Sequence, residues 1–268
     1  LSLVGSEMCI RDRLWGMSVL EWLSYHYADA CVGLSPGICE GIKRRSQSGK
    51  RIAMIPNGCD LEIFKPSSRD NLSLDGISST DKVAVFTGAH GIANGLDSVL
   101  DAASALKKMG RSDIVLAFIG DGKMKGHLIN RTKEEGLDNC RFYDPIPKKE
   151  LNKIVASADV GLMVLTNVPA FYYGTSPNKF FDYISSGLPV LNNYPGWLAD
   201  MIQEHCLGVV VPTDDPQAFA KGLISLLDNN DLKVQCGKNA RTFAEEHFSR
   251  NLLADKFVAF LEEVSSLK

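Results

Sequence analysis

From Val83 onward, short apolar runs alternate with helical patterns, and that rhythm constrains the fold more than any other feature of the chain. The runs occupy residues 83–87, 114–119, 140–143, 160–165, 189–192 and 209–211, with amphipathic stretches such as 96–109 and 151–156 between them. A strand with one face in water alternates apolar and polar residues. These runs are apolar nearly throughout, so both faces are expected to be covered. Strand and helix in strict alternation then imply an α/β fold built on a doubly wound parallel sheet. The ligand of such a sheet is expected beyond the carboxyl ends of its strands.

The rest of the chain fits around that sheet. Its 268 residues, 45% of them hydrophobic, suffice for one large domain or two small ones. A net charge of -3 gives no attraction to nucleic acid, which is excluded as a partner. The seven cysteines are odd in number, scattered, and without a Cys-x-x-Cys pair, so neither a disulfide framework nor a zinc site is expected, as suits a reducing cytosol. No apolar run approaches the ~20 residues of a membrane span. Residues 1–13 resemble adapter-derived translation and are read as a non-native scar, and the chain as a fragment of a longer one. In residues 14–27, Trp15, Val19, Trp22, Leu23 and His26 share one helical face. Core-facing packing is expected for it; the alternative is a membrane-surface helix helped by Lys43, Arg44, Arg45, Lys50 and Arg51. Residues 30–34 and 51–55 read as strands, with Ser35-Pro36 capping a helix between them. Residues 67–81, rich in Ser, Asp and Asn, read as a linker, and everything from Pro216 on is helical in pattern.

One segment carries the chemistry. In Gly174-Thr175-Ser176-Pro177-Asn178-Lys179-Phe180-Phe181-Asp182, Ser176 suits an N-cap and Pro177 the first helical position, with a stop expected near Gly187 ahead of Pro189. A helix start offers unpaired N–H groups and a positive dipole end, and Lys179 adds a full charge one turn inside, so a phosphate fits there. Asp182 falls three residues later, where its carboxylate can accept from sugar hydroxyls. The plain alternative is a capped helix with a Lys179–Asp182 ion pair.

The order Ser-Pro-Asn-Lys-Phe-Phe-Asp-Tyr-Ile-Ser-Ser-Gly-Leu-Pro-Val-Leu resembles the Pro-Ser-Lys-x-x-Glu-Tyr-x-x-x-Gly-x-Pro-Val segment of family 4 retaining glycosyltransferases with the GT-B fold. The stretches Ala28-Asp29-Ala30, Ser35-Pro36-Gly37 and Ile55-Pro56-Asn57-Gly58-Cys59-Asp60 resemble the same family where its N-terminal domain closes. The resemblance implies that residues 14–66 are the remnant of an N-terminal acceptor domain and 82–248 a Rossmann-like nucleotide-sugar-binding domain. Residues 249–268 would be the helix that crosses back. The implied reaction moves a sugar from a nucleotide diphosphate sugar to a glycan or lipid-linked acceptor with retention, without metal or cofactor. Transfer is expected to need the longer enzyme, the chain alone binding nucleoside diphosphate weakly. A cytoplasmic place is expected, with the inner face of the cell membrane as an alternative partner.

Site residues follow from the same resemblance. Gly88 and Gly91 lie in the loop after the first strand of the sheet, where many relatives carry an Arg and a Lys; His90 and Asn94 stand near those slots. This loop resembles the bacterial surface-polysaccharide subgroup, which also lacks the basic pair, so charge should fall on Lys179. His90 is either a phosphate-facing donor or a solvated loop histidine. Gly120-Asp121-Gly122 matches the family's turn beside the nucleotide, and Ile146 is the position whose backbone meets the base. Gly174, Thr175, Ser176 and Asn178 lead into the anion-binding helix, and Gly174 stands where relatives carry a first acid. Asp182 takes the ribose, and Lys179 and His90 are the catalytic candidates. Phe171, Tyr172 and Tyr173 either line a sugar pocket or plug the core. The rival functions are a nucleotide-sugar epimerase of the same fold, a nicotinamide-dependent dehydrogenase, disfavoured by the glycine spacing, and a non-catalytic nucleotide-sugar or membrane-surface binding module.

Overall fold

The computed structural model describes the backbone of residues 2–68, 72 and 74–266, and side chains from residue 15 on. The scar expectation for 1–13 therefore concerns side chains outside the described residues, as does part of the 67–81 linker. The chain divides into two bodies, Leu1–Pro56 with Gly174–Ser176 and Ala254–Lys268, and Asn57–Tyr173 with Pro177–Leu253.

In the first body, α1 (Ser2–Tyr27) precedes β1 (Ala30–Gly33), α2 (Pro36–Arg45) and β2 (Arg51–Met54), and the two strands pair in parallel with Ala30 opposite Arg51. Ser35 caps α2 as expected, its Oγ accepting from Ile38 N at 3.3 Å. The core-facing expectation for α1 is corrected: Trp15 is 72% and Trp22 53% exposed, and Trp22 stacks on His26 of its own helix. Part of the basic run is occupied, Arg44 by Glu40 and Arg45 by Glu21. No described helix is long and apolar enough to cross a membrane.

The second body holds the sheet. Its strands are β3 (Lys82–Thr87), β4 (Ile114–Ile119), β5 (Cys140–Tyr143), β6 (Val160–Met163), β7 (Val190–Asn192) and β8 (Gly208–Val210), all parallel, in the order β5-β4-β3-β6-β7-β8. Side chains alternate between two cores, as the strand period demands. Val83 and Val85 enter one with Phe180, Phe181, Tyr183 and Ile184, while Ala84 and Phe86 enter the other with Leu100, Leu106, Leu223 and Leu226. The helices are α3 (Asp97–Lys108), α4 (Lys125–Glu134), α5 (Lys148–Ser157), α6 (Pro169–Gly174), α7 (Asn178–Ser185), α8 (Trp197–Glu204), α9 (Pro216–Asp228), α10 (Asn230–His247) and the start of α11 (Arg250–Ser265). The doubly wound expectation holds in order and direction.

The boundary is the main departure. It falls after Pro56, because the segment that follows is sewn into the sheet domain. Cys59 N donates to Phe248 O at 2.6 Å, Arg250 N donates to Cys59 O at 3.1 Å, and Cys59 and Phe64 are fully buried in its core. The described part of the expected linker is docked too. Leu72, Leu74 and Ile77 pack on the same core, and Tyr143 Oη donates to Asp75 O at 2.8 Å.

Candidate functional site

Strand order fixes where a ligand should go. From β3 the chain builds outward to β4 and β5, then jumps to β6 on the other side, so the topological switch point lies between β3 and β6. The loops after these strands are fastened there. Thr166 N donates to Ala93 O at 3.0 Å, and Gly95 sits at φ +56°, where a Cβ would lie 2.8 Å from Thr166 N. The loop after β4 interlocks with the loop after β3: His90 N donates to Asp121 O at 2.8 Å, and Met124 N to His90 O at 2.9 Å. Gly120, at φ +148°, lets these backbones meet, since its Cβ would stand 2.0 Å from Gly88 O. Gly88, Gly91, Asp121 and Gly122 are thus brought together, with Asp121 Oδ1 accepting from Gly122 N.

Helix α7 is anchored beneath this switch point. Its apolar side buries Phe180, Phe181, Tyr183 and Ile184 completely. Tyr183 lies against Gly161 of β6, where a Cβ would be 2.6 Å from its ring, and its hydroxyl accepts from Thr87 N at 2.9 Å and donates to Val85 O at 3.3 Å. The stop falls as expected: Gly187 is left-handed at φ +66°, and Leu188 N returns to Tyr183 O at 3.0 Å while Gly187 N returns to Ile184 O at 3.1 Å. The start is corrected by one residue. Pro177, with ψ 126°, is still extended and takes the N-cap place, so the helix begins at Asn178 and Ser176 is not the cap.

Lys179 reaches over the carboxyl end of β3. Its Nζ donates to Asn94 Oδ1 at 2.7 Å and stands 3.9 Å from the centroid of the Phe86 ring. Asn94 in turn donates from Nδ2 to Ala89 O at 2.7 Å, tying the lysine to the glycine loop. Burial pushes the ammonium down to about 7. Asp182 points elsewhere. Its Oδ1 stands 4.0 Å from Lys148 Nζ, and its carboxyl is pushed up to about 6, by burial first and by Asp60 next among the groups that raise it, with Lys148 and Arg250 opposing. The plain alternative of a Lys179–Asp182 ion pair is therefore not what forms.

His90 is neither solvated nor turned to a ligand. It is fully buried among Phe86, Phe118 and Phe142 at ring distances of 6.0, 6.4 and 6.1 Å, and both ring nitrogens lack a hydrogen-bond partner. Burial, with Lys125 second, pushes it down to about 4, so it is neutral at physiological pH. Ile146 is half-buried on the core below the start of α5, and Asn178 is exposed at the head of α7. Gly174, Thr175 and Ser176 group with the first body. Phe171 and Tyr172 pack on the core, as the plug reading has it, while Tyr173 is 49% exposed; the loop holding them contains α6. Sequence reasoning passed over Phe86, Lys148 and Arg250, and gave Asp60 no role. Asp60 was visible only as the end of a motif, and the others carried no local signal.

Two cavities bear on the choice of site. One of about 340 Å³ lies behind the glycine loop, between Gly91, Gly95, Met124, Thr166 and Asp214. A larger one, about 620 Å³, opens at the amino ends of β6 and β7, the wrong end of the sheet for its ligand. Two of its cations are already engaged, Lys233 by Asp159 and Arg241 by the carbonyls of Phe64 and Ser185. Among the described residues no cluster of His, Cys, Asp or Glu is arranged to hold a metal, and Cys31, Cys39, Cys59, Cys140, Cys206 and Cys236 are free thiols.

The sequence pattern of the family described as "Glycosyl transferases group 1" matches residues 71–243. The chain belongs to this family. It is 25% identical over 247 residues to "Probable glycosyltransferase WbjE" of Pseudomonas aeruginosa, covering 90% of this chain and 60% of that protein. It is 27% identical over 214 residues to the D-inositol 3-phosphate glycosyltransferase of Corynebacterium glutamicum, covering 72% and 48%. The chain thus spans about half to three fifths of the curated relatives it matches. Among solved structures, Anabaena Alr3699/HepE, in complex with UDP and glucose, superposes with a TM-score of 0.77 at 16% identity, over 91% of this chain and 66% of that one. The shared fold is that of the GT-B glycosyltransferases.

Proposed function

We propose that the chain is the nucleotide-sugar-binding part of a retaining, family 4 glycosyltransferase that passes a sugar from a UDP-linked donor to a glycan or lipid-linked acceptor. The observation that carries this reading is the placement of Lys179 at the β3/β6 switch point, held by Asn94 and Phe86 at the head of α7. Cleaving the donor's bond from sugar to diphosphate loads negative charge on the departing phosphate oxygens. Lys179 and the first N–H groups of α7 form a fixed positive field for that charge, with no reorganisation at the moment of reaction and no metal or cofactor. Gly88 and Gly91 leave the backbone open to close approach, and Gly120 and Gly122 let the two loops meet beside them. Asp182 accepts from the ribose hydroxyls, and the backbone at Ile146 meets the base. His90 packs the floor and positions the loop.

In a front-face retaining reaction the acceptor's proton passes to the donor phosphate, so no protein nucleophile is required. Support for a UDP donor comes from the fold relative that holds UDP and glucose. The test is calorimetric titration of the chain with UDP-, GDP- and ADP-glucose, followed by turnover of the full reading frame with the donor that binds. Micromolar to millimolar binding of a UDP-sugar is the expected result. Failure of all three to bind, or interconversion of the free nucleotide sugar by the full protein without acceptor, would overturn the reading.

A further inference from the structure

Asp182 belongs to a second charge cluster, apart from the Lys179–Asn94 contact. Asp60, in the turn region after Asn57-Gly58, places Oδ2 3.7 Å from Lys148 Nζ and 3.2 Å from Arg250 Nη1. The same Lys148 Nζ stands 4.0 Å from Asp182 Oδ1 and 5.2 Å from the centroid of the Phe64 ring. The two carboxylates are enclosed, at 14% and 19% exposure, whereas Lys148 and Arg250 keep 46% and 64%.

The placement of the cations is a second, separate observation. Lys148 is the first residue of α5 and Arg250 the first of α11. A helix start is the positive end of its dipole, and a cation there is destabilising. Helix stability therefore does not account for either residue, whereas the facing carboxylates do. Asp60 does have a structural bond of its own, from Ile63 N to Oδ1 at 3.4 Å, but it uses the other oxygen and leaves Oδ2 for the cations.

We propose that Lys148 is a positioning residue for Asp182 and that Asp60 competes for it: Lys148, shared between the two carboxylates, holds the Asp182 carboxylate as an acceptor for the vicinal hydroxyls of a ligand's sugar, and Asp60 limits that hold. The proposal rests on the donor-site reading above. Among the described residues, the charged groups that act on Asp182 are those of the cluster, Lys148 on α5, Asp60 in its turn and Arg250 on α11. The neighbouring Cys59 thiol is pushed up to about 12 and the Tyr183 hydroxyl also upward, both by burial, so neither changes charge in the working range. Removing Lys148 must then make Asp182 harder to ionise. Removing the Asp60 charge must make it easier, directly and by freeing Lys148 and Arg250 to serve Asp182 alone. A packing role for the same residues predicts no such opposition of sign.

The experiment follows the Asp182 carboxyl carbon by NMR in the ligand-free chain from pH 4 to 8. The expected midpoint is near 6 in the wild type. It should rise by about one pH unit in Lys148→Met, fall by about one in Asp60→Asn, and return toward the wild-type value in Lys148→Arg. Arg250→Met, at an exposed position, should give a second upward shift, and if Asp60→Asn does not fold, the rise in Lys148→Met and its reversal in Lys148→Arg decide the test. At pH 7, Lys148→Met should bind UDP several-fold more weakly while binding inorganic pyrophosphate as before. Midpoints that do not move, or that move the same way in Lys148→Met and Asp60→Asn, overturn the proposal, as does equal loss for UDP and pyrophosphate. A wild-type chain that binds no UDP instead strikes the donor-site reading, and the ligand-free titration still decides the positioning role.

Discussion

The state of Lys179 gives the sharpest consequence. With its ammonium pushed down to about 7 by burial, the empty site holds the lysine only half protonated at neutral pH. A diphosphate bound beside it favours the charged form, so binding should draw a proton from solution. A UDP-sugar suits the measurement, because both its phosphates are esterified and keep constant charge. Above pH 7 Asp182, with its midpoint near 6, is ionised and no longer contributes to the trend. From the charged fraction of Lys179, affinity should fall about fivefold between pH 7 and 8, then approach about tenfold per further pH unit, or about 1.4 kcal/mol each. Calorimetry at pH 8 in two buffers of different ionisation enthalpy should report uptake of about 0.9 proton per ligand, the neutral fraction at one unit above the midpoint. Lys179→Met should abolish both the uptake and the slope, and at pH 7 weaken binding by about 1.5–3 kcal/mol, the range for a hydrogen bond to a charged group. A wild-type affinity flat from pH 7 to 8.5, with no buffer dependence, would show a lysine already fully charged in the empty site. A Lys179→Met chain binding like the wild type would remove Lys179 from the site altogether.

Asp182→Asn is expected to weaken UDP binding and leave inorganic pyrophosphate binding unchanged, and an equal loss for both in titration would contradict its ribose role. The same variant bears on stability. Because the folded carboxyl titrates near 6 against 3.8 unfolded, the folded chain takes up the proton first, and its stability falls as pH rises from about 4 to 6. Thermal unfolding at pH 7 should thus find Asp182→Asn more stable, by at most about 3 kcal/mol, with the gap closing toward pH 4; a gap independent of pH would refute the shift. Gly120→Ala should cost several kcal/mol, visible as a lowered Tm, since φ +148° and a Cβ 2.0 Å from Gly88 O are both forbidden to alanine. His90→Leu replaces an imidazole with two unpartnered nitrogens by an apolar side chain in an aromatic nest. Denaturant unfolding should show a gain of about 1 kcal/mol with UDP affinity kept, and a folded variant that loses UDP would return His90 to the ligand.

The sheet was legible because its runs are short and apolar nearly throughout. Ile114–Ile119 and Cys140–Tyr143 coincide with their strands to the residue. The end of α7 was legible for a similar reason, since Gly187 is the residue type that a left-handed C-cap selects. Its start was misjudged by one residue because Pro fixes φ but leaves ψ free, and ψ decides whether Pro177 is helical. The stretch 67–81 looked like a linker by composition, yet Leu72, Leu74 and Ile77 suffice to dock its described part. His90 was illegible for another reason: its burial depends on Phe86, Phe118 and Phe142 from three different strands, a fact of sheet order rather than of local spacing. The Asp60–Lys148–Asp182 cluster has the same origin, assembled by tertiary folding from residues with no shared motif.

The two charges on α7 also bear on why the helix has the form it has. Lys179 and Asp182, three residues apart, are within reach of an i,i+3 pair that stabilises a helix by about 0.2–0.5 kcal/mol. The structure forgoes it. Asn94 and Phe86 draw the lysine to the glycine loop, and Lys148 stands by the carboxylate. Each group is then held in a setting that disfavours its charged form, the ammonium pushed down to about 7 and the carboxyl up to about 6. For stability alone this is the poorer arrangement, because a direct pair would neutralise both. A ligand with an anion at one end and neighbouring hydroxyls at the other relieves both strains at once, and a ligand with only one of these relieves half. The separation of the charges therefore selects for a molecule that is both phosphorylated and polyhydroxylated, met from two positions three residues, or about 4.5 Å of helix rise, apart along α7. A free sugar or inorganic phosphate meets only one of those demands.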